Sequence, residues 1–294
     1  MPQIKKFPWD IIGTTVLGAS HKRHGFPNQD FLFYYKKGIF FLSISDGHGS
    51  RKYFRSHIGS RLAVFAAEEV IKEFTEKMDN TTNLSSIKEY AELRLPQSII
   101  REWEKNVRND LKSNPFQERE LTFLEKNEGI SVRKQLENNP IIAYGATLLS
   151  VFITNTYILY LQLGDGDILI VSEEGETSRP FPKDERLIAN ETTSLITKDA
   201  WKEFRVQFQR LSENPPALIL VSSDGYANSF CDEESFLQIG SDFLTLIRAD
   251  GLKKVEQNLR SWLEEASEKG CGDDISLGII SRIQLANRPL PMLI

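Results

Sequence analysis

Cysteine and histidine are scarce in this chain of 294 residues. It has two cysteines, Cys231 and Cys271, and four histidines. The cysteines form no Cys-x-x-Cys pair, so neither a disulfide framework nor a cysteine-bound zinc site is expected to organise the fold. A reducing compartment is the expectation that follows, and we predict a cytoplasmic protein.

Long apolar runs and an excess of positive charge are also missing. No stretch approaches the roughly 18 apolar residues that a membrane-spanning helix requires. Residues 1–10 contain Lys5, Lys6 and Asp10 but no apolar core, which is unlike a signal peptide. The net charge of −5 argues against a surface made for nucleic acid. We therefore expect neither a membrane nor nucleic acid as a partner.

What the chain does have is a repeated pattern, in which an acid stands beside glycine where an apolar strand ends. Residues 39–44 predict a buried strand, and it runs into Asp46-Gly47-His48-Gly49. Taken alone, this stretch is also typical of a plain Asp-Gly turn with a solvated histidine. The same pattern recurs at Asp165, at Asp224 and at the pair Asp273 and Asp274.

Carboxylates at strand ends that converge in one sandwich make a binding site for hard divalent cations. All-oxygen ligation with few histidines favours Mg²⁺ or Mn²⁺ over Zn²⁺. Two such ions about 4 Å apart would activate a water and neutralise an anionic substrate such as a phosphate. Each acid alone is more often a turn residue, but the recurrence predicts a shared metal centre.

Hydrophobic periodicity predicts strands and helices between these motifs. Strands are expected at 11–17, 31–35, 38–45, 148–154, 157–163, 168–171, 217–221 and 277–283, with 148–171 forming an antiparallel meander. Apolar residues at helical spacing predict helices over 58–74, from about Pro96 to 111, and around 255–263. Residues 18–30 are predicted to be a polar loop, and 114–140 a charged connector with one short helix.

The predicted domain organisation is a single catalytic domain, residues 1–286, followed by an irregular tail, 287–294. Residues 176–216 interrupt the regular succession of strands with two early prolines, Pro180 and Pro182, and the hydroxyl cluster Thr192-Thr193-Ser194. Long excursions of this kind are often lids or specificity loops. A packed accessory hairpin is equally consistent with the pattern.

Six motifs follow one another along the chain: Gln29-Asp30, Asp46-Gly47-His48-Gly49, Gly145-Ala146-Thr147, Gly164-Asp165-Gly166-Asp167, Ser223-Asp224-Gly225 and Asp273-Asp274-Ile275-Ser276. In this order they resemble the metal-dependent protein phosphatases of type 2C, in particular a divergent bacterial branch. The resemblance implies an α+β fold, a four-layer α-β-β-α sandwich of two antiparallel sheets flanked by helix pairs. It also implies hydrolysis of phosphoserine and phosphothreonine in a protein substrate, by water that two or three Mn²⁺ or Mg²⁺ ions activate, and a Ser/Thr kinase that phosphorylates the same substrate.

The resemblance also implies which residues hold the metal ions. Asp46 would bridge two ions, and Gly47 would ligate one through its carbonyl. Asp224 and Asp273 would hold the first metal, and Asp165 a third and weaker one. Asp30 and Asp274 would lie just outside the ligands.

His48 matches the general acid that protonates the leaving serine or threonine oxygen. This role suits the chemistry, because an expelled alkoxide needs a proton and imidazole titrates near neutral pH. The alternative is that His48 only shapes the turn.

Two positions depart from the family's pattern. Gly25 stands where an arginine usually grips the substrate phosphate, and the candidate replacements in the same loop are Arg23, Lys22 and His21. Gln29 stands where a glutamate contacts metal-bound water. The first departure leaves two other hypotheses open: a pseudophosphatase that binds a phosphoprotein without turnover, and a hydrolase of a small phosphorylated molecule.

Overall fold

The computed structural model describes residues 9–78, 83–182 and 192–282. Within them the strands are β1 Asp10–Val16, β2 Phe31–Lys37, β3 Ile39–Ser45, β4 Leu148–Ile153, β5 Tyr157–Leu163, β6 Asp167–Val171, β7 Thr177–Ser178, β8 Arg205–Arg210, β9 Leu218–Ser222 and β10 Ile275–Ser281. The helices are α1 Ala19–His24, α2 Ser56–Lys77, α3 Leu84–Ser113, α4 Glu118–Glu128, α5 Ile130–Asn138, α6 Asp224–Ala227, α7 Glu233–Asp250 and α8 Leu252–Lys269.

The strands form two antiparallel sheets of five strands each. The first sheet has the order β1-β10-β9-β6-β7, and the second has the order β2-β3-β4-β5-β8. Successive side chains of a strand point to opposite faces, so neighbours enter different cores. In β1, Ile11 packs between the sheets whereas Ile12 packs under the helices of the first sheet.

Helices cover the outer face of each sheet. α2 and α3 pack on the second sheet, and α7 and α8 pack on the first. Fully buried residues such as Ala67, Ile71 and Trp103 fill the layer beneath α2 and α3. A third apolar layer, including Ile44 and Val151, lies between the sheets. The predicted four-layer α-β-β-α sandwich is therefore confirmed.

α2 supports the loops of the candidate site through an unusually close contact at Gly59. A Cβ at this position would overlap the carbonyl of Tyr144. Tyr144 ends a short 3₁₀ helix, Pro140–Tyr144, which leads directly into Gly145. The carbonyl of Gly59 also accepts a hydrogen bond of 3.1 Å from Trp103 Nε1. A residue without a side chain is needed here, because the backbones of the helix and the loop touch.

A buried arginine joins the start of α2 to α3 and α4. Arg55, which is 7% exposed, donates to Tyr144 Oη at 2.8 Å and pairs with Glu120 at 3.2 Å. The hydroxyl of Tyr144 in turn donates to Asp110 of α3 at 2.6 Å. A buried charge needs such partners, and this network holds the segment after α3 against the core.

The helix predicted to begin near Pro96 begins at Leu84 instead. Pro96 lies inside α3, a helix of 30 residues. Asn83 caps its start by accepting a hydrogen bond of 2.9 Å from the Ser85 N–H. Proline removes one hydrogen bond from the helix interior, and packing of α3 on α2 offsets that loss.

Three other predictions of helix content were wrong. Residues 18–30 contain α1, and residues 114–140 contain two helices, α4 and α5. α7 was not predicted at all. Its buried Phe236, Ile239, Phe243 and Ile247 recur every three or four residues, which is a readable helical signal.

The predicted meander was also wrong. β4 and β5 pair in the second sheet, but β6 lies in the first sheet beside β9. Gly164, with a φ of +113°, allows the sharp turn by which the chain crosses between sheets.

Residues 176–216 contain β7 and also β8, which is an edge strand of the second sheet. The last strand ends at Ser281 rather than at residue 283, and the predicted tail, 287–294, lies outside the described residues. No helix in the described part of the chain has the length and apolar character to cross a bilayer.

Candidate metal centre

Both sheets contribute to one acidic cluster at the same end of the sandwich. Asp30 precedes β2 and Asp46 follows β3, whereas Asp165 precedes β6, Asp224 follows β9 and Asp273 precedes β10. The acids are near enough to affect one another's ionisation: Asp30, Asp224 and Asp273 each raise the pKa of Asp46. The structure thus brings together the acids that the strand-end pattern singled out.

Burial and mutual repulsion raise the pKa of four of these acids, Asp30, Asp46, Asp224 and Asp273. Asp30 is 5% exposed, and burial together with neighbouring Asp274 raises its pKa to about 7 despite a hydrogen bond from Ser223. Burial raises the pKa of Asp224 to about 6, and the charge of Asp165 adds to this effect. Burial, and then the charges of Asp30 and Asp224, raise the pKa of Asp46 well above its usual range. Negative charge is therefore costly in this cluster.

The donor set fits a divalent cation. Among the described residues, no lysine or arginine forms a salt bridge with Asp30, Asp46, Asp165 or Asp224. Asp46 and Asp224 lie close enough to influence each other's pKa, and the buried Oδ1 of Asp30 has no hydrogen-bond partner among the described residues. Clustered carboxylate oxygens without an organic counter-ion are what Mg²⁺ and Mn²⁺ bind.

The third motif, Gly145-Ala146-Thr147, holds the turn that carries Asp46. The Asp46 N–H donates to Thr147 Oγ1 at 3.0 Å, and the Thr147 N–H donates to the Asp46 carbonyl at 2.8 Å. Two residues further on, the His48 N–H donates to the Gly145 carbonyl at 3.1 Å. The motif therefore positions the turn by backbone contacts, a structural function that the sequence did not reveal.

Gly47 lies too close to its neighbours for any side chain. An ideal Cβ would lie 2.8 Å from the carbonyl oxygens of Gln29 and Ser56. The Gly47 N–H donates to the Gln29 carbonyl at 3.1 Å. Close backbone approach explains the glycine, and Gly47 as a metal ligand remains a prediction.

Gln29 stabilises the same turn through its side chain. Its Nε2 donates to Ser56 Oγ at 2.7 Å and to the His48 carbonyl at 3.2 Å. A glutamate could not make these two donations, because an ionised carboxylate only accepts. The departure at Gln29 is thus accounted for by a contact within the loop.

Asp274 is engaged by the backbone and by His21. Its Oδ1 accepts from the Gly18 N–H at 2.7 Å, and its Oδ2 accepts from the Gln29 N–H at 2.7 Å. His21 Nδ1 lies 2.9 Å from Oδ2, and this hydrogen bond raises the pKa of His21. The ligand atoms of His21, Asp273 and Asp274 lie within 4.8 Å of one another, but the contacts of Asp274 make it a supporting residue. His21, a predicted phosphate-binding candidate, is already paired.

His48 faces Tyr53 and Ser194. Its ring centroid lies 4.8 Å from that of Tyr53, and its Nε2 lies 2.6 Å from Ser194 Oγ. Burial, and then the charge of Lys52, lower the pKa of His48 to about 4. The ring is therefore neutral at pH 7 in this structure, and its role as a general acid remains a prediction.

Cations occur on two sides of the cluster. Gly25 ends α1 with a φ of +70° and offers no side chain, whereas Lys22 and Arg23 are exposed on that helix.

Lys52 was missed by the sequence reasoning. It is half-buried on the turn that follows His48, its Nζ lies 4.7 Å from the centroid of the Tyr53 ring, and no carboxylate pairs with it among the described residues. Its position six residues after Asp46 was the available signal.

Comparison with known proteins agrees with this geometry. Residues 17–264 match a family model described as Protein phosphatase 2C, whereas none of the curated proteins matches the chain. The serine/threonine phosphatase PstP/Ppp of Mycobacterium tuberculosis is similar in structure, with a TM-score of 0.55, 12% identity, and coverage of 93% of this chain and 98% of that one.

Two further solved structures are similar. The serine/threonine phosphatase of S. agalactiae has a TM-score of 0.51 and 18% identity, covering 93% of this chain and 99% of that one. The catalytic domain of PstP in complex with two manganese ions has a TM-score of 0.51 and 12% identity, covering 93% and 97%. These likenesses confirm the fold, and the family model covers most of the sequence. The chain belongs to the protein phosphatase 2C family.

Proposed function

We propose that this protein hydrolyses phosphoserine and phosphothreonine monoesters in protein substrates, with two or three Mn²⁺ or Mg²⁺ ions as cofactors. Family membership supports the reaction class. The observation that carries the proposal is the acidic cluster of both sheets, in which Asp30, Asp46 and Asp224 form no salt bridge with a lysine or arginine among the described residues. Such a cluster is stable in its ionised form only with a bound cation.

The ligands would come from the motif acids. Asp46 and the Gly47 carbonyl, together with Asp224 and Asp273, would hold the first two ions, and Asp165 a third. Asp30 Oδ2 accepts a hydrogen bond from Ser223 Oγ at 2.7 Å, and its buried Oδ1 has no hydrogen-bond partner among the described residues. Divalent ions bound there supply a nucleophilic water at neutral pH and neutralise charge on the phosphate.

The chain's own cations would bind the phosphate. Lys52 is the strongest candidate, because it is half-buried and no carboxylate of the described residues pairs with it, so its ammonium attracts an anion. Arg23 and Lys22 lie on α1, whose Ser20 N–H bonds to the Gly272 carbonyl at 2.8 Å, beside Asp273. Lys52 and α1 therefore approach the cluster from the His48 side and from the Asp273 side respectively.

His48 would supply the proton for the leaving oxygen. A bound phosphate dianion favours the protonated ring, because opposite charges attract, and so it opposes the effect of burial. The proton then passes from the ring to the seryl or threonyl oxygen as the O–P bond breaks, and the ring returns to its neutral form.

The test is Mn²⁺-dependent hydrolysis of a phosphoserine peptide, measured beside Mn²⁺ binding by calorimetry. Asp46→Asn and Asp224→Asn should abolish both hydrolysis and tight binding. Asp250→Asn, at an exposed position on α7, should change neither.

Tight Mn²⁺ binding without turnover of any phosphomonoester would contradict the proposal and favour the pseudophosphatase. Faster turnover of phosphorylated metabolites than of phosphopeptides would favour a small-molecule hydrolase.

A further inference from the structure

Residues 192–196 begin the described stretch 192–216. They contact three of the sequence motifs. The Gly164 N–H donates to Thr193 Oγ1 at 2.8 Å, next to Asp165. The Leu195 N–H donates to the Ala146 carbonyl at 3.0 Å. Between these two contacts, Ser194 hydrogen-bonds to His48. This segment is thus fixed to the motifs on both sides of Ser194.

Ser194 is buried, at 4% exposure, and its hydroxyl has two neighbours. Its Oγ lies 2.6 Å from His48 Nε2 and 3.2 Å from the carbonyl of Ala146. The carbonyl can only accept, and a hydroxyl has a single proton to give. Both hydrogen bonds can therefore exist together only if His48 Nε2–H donates to Ser194. This arrangement sets the neutral ring in its Nε2–H form.

Nδ1 of His48 is left without a hydrogen bond to any described residue. The ring is held in place by Tyr53 on one side and by the backbone of Gly145, where a Cβ would lie 2.6 Å from the imidazole Cδ2. With Nε2 engaged by Ser194, Nδ1 is the nitrogen that remains for a substrate. Its orientation is therefore set by Ser194.

We propose that Ser194 is a positioning residue for His48, and that residues 192–196 act on catalysis through it. The inference rests on the proposed phosphatase function. During turnover, a water molecule adds to the phosphorus and the O–P bond to the seryl or threonyl oxygen breaks. That oxygen takes the proton from Nδ1 of the protonated ring, and the ring returns to the neutral Nε2–H form that Ser194 holds. Removal of the hydroxyl lets the ring turn or change tautomer, so the proton is no longer aimed at the leaving group.

Three variants isolate this contact. Ser194→Ala removes the hydroxyl, whereas Ser194→Thr keeps it. Ser212→Ala, an exposed serine in the same 176–216 segment, is the matched control. Urea unfolding of each variant checks that the fold is retained.

Two substrates distinguish a loss of His48 positioning from a general loss of catalytic activity. A phosphoserine peptide has a poor leaving group that needs a proton. Hydrolysis of 4-nitrophenyl phosphate instead releases 4-nitrophenolate, which is stable as an anion. With Mn²⁺ present, Ser194→Ala should lower kcat for the peptide about tenfold, as part of the full contribution of a general acid. Its kcat for the aryl phosphate and its KM for both should change less than about twofold. Ser194→Thr should restore the peptide rate.

NMR of the histidine ring nitrogens provides a reading that does not depend on activity. The wild-type protein should show His48 as the Nε2–H tautomer, and Ser194→Ala should shift its resonances while those of His21, His24 and His57 stay in place. Unchanged His48 resonances, an Nδ1–H tautomer in the wild type, or equal loss on both substrates would overturn the proposal. A wild-type protein without phosphatase activity would overturn the proposed function. The NMR comparison would still show whether Ser194 holds His48 in the Nε2–H form.

Discussion

Replacing Asp30 with asparagine should stabilise the metal-free protein. Asp30 is 5% exposed, its Oδ1 has no hydrogen-bond partner, and its pKa is about 7 in the folded state against 3.8 for the unperturbed group. Each unit of pKa difference corresponds to about 1.4 kcal/mol, so ionised Asp30 costs at most about 4 kcal/mol. Because Asp274 and Asp224 share in this repulsion, we expect Asp30→Asn to gain about 2 kcal/mol at pH 8.

The gain should depend on pH in a defined direction. The folded-state pKa of Asp30 is raised, so the wild-type protein is stabilised as the pH falls below about 7. Asparagine does not titrate, and its carbonyl still accepts from Ser223. The advantage of the variant should therefore fall by more than half between pH 8 and pH 5. Asp250→Asn, at an exposed site, should show a small difference that is the same at both pH values.

Urea unfolding in the presence of a chelator, extrapolated to water, measures these differences. Addition of Mn²⁺ should stabilise the wild-type protein more than the variant, because ligands that bind only the folded state add to its stability. A variant that is less stable than the wild type at pH 8 in chelator would refute the reasoning. It would mean that ionised Asp30 is well solvated or paired in the folded protein.

Three other substitutions test neighbouring features. In steady-state kinetics, Lys52→Ala should raise KM for a phosphopeptide about tenfold, whereas Arg23→Ala should raise it less than threefold. The reverse order would mean that the phosphate binds near α1. Gly59→Ala should lower the free energy of unfolding by more than about 3 kcal/mol in urea titrations, because its Cβ would overlap a backbone carbonyl. Thr147→Val should weaken Mn²⁺ binding in calorimetry about tenfold, because it removes the acceptor for the Asp46 N–H. Unchanged affinity would show that the turn holds without it.

The sequence predicts the acidic cluster because its signal is local. Apart from Asp30, each acid of the cluster stands beside glycine at a strand end, and strands of a sandwich end at shared edges. The amphipathic helix α2 is predicted for the same reason, since residues 58–74 carry the apolar period in full. The third motif, by contrast, gives no local sign that Thr147 anchors Asp46, because that hydrogen bond joins residues 101 positions apart.

Other features depend on packing that no local pattern encodes. β6 is an apolar run that would be buried in either sheet, so its place beside β9 is not readable from composition. The pairing of His21 with Asp274 spans 253 positions and removes a cation that the sequence left available. Lys52 is half-buried beside the ring of Tyr53. Only the tertiary structure shows that no carboxylate of the described residues pairs with it.

The contact between the Gly18 N–H and Asp274, 256 positions apart, bears on when the acidic cluster is completed during synthesis of the chain. Asp274 also receives the Gln29 N–H, and β1 pairs with β10 along its whole length. A ribosome delivers roughly 5–20 residues per second, so β1 waits at least several seconds for its partner strand. The acidic cluster is incomplete throughout that time. A nascent chain should therefore bind Mn²⁺ weakly until β10 has left the exit tunnel.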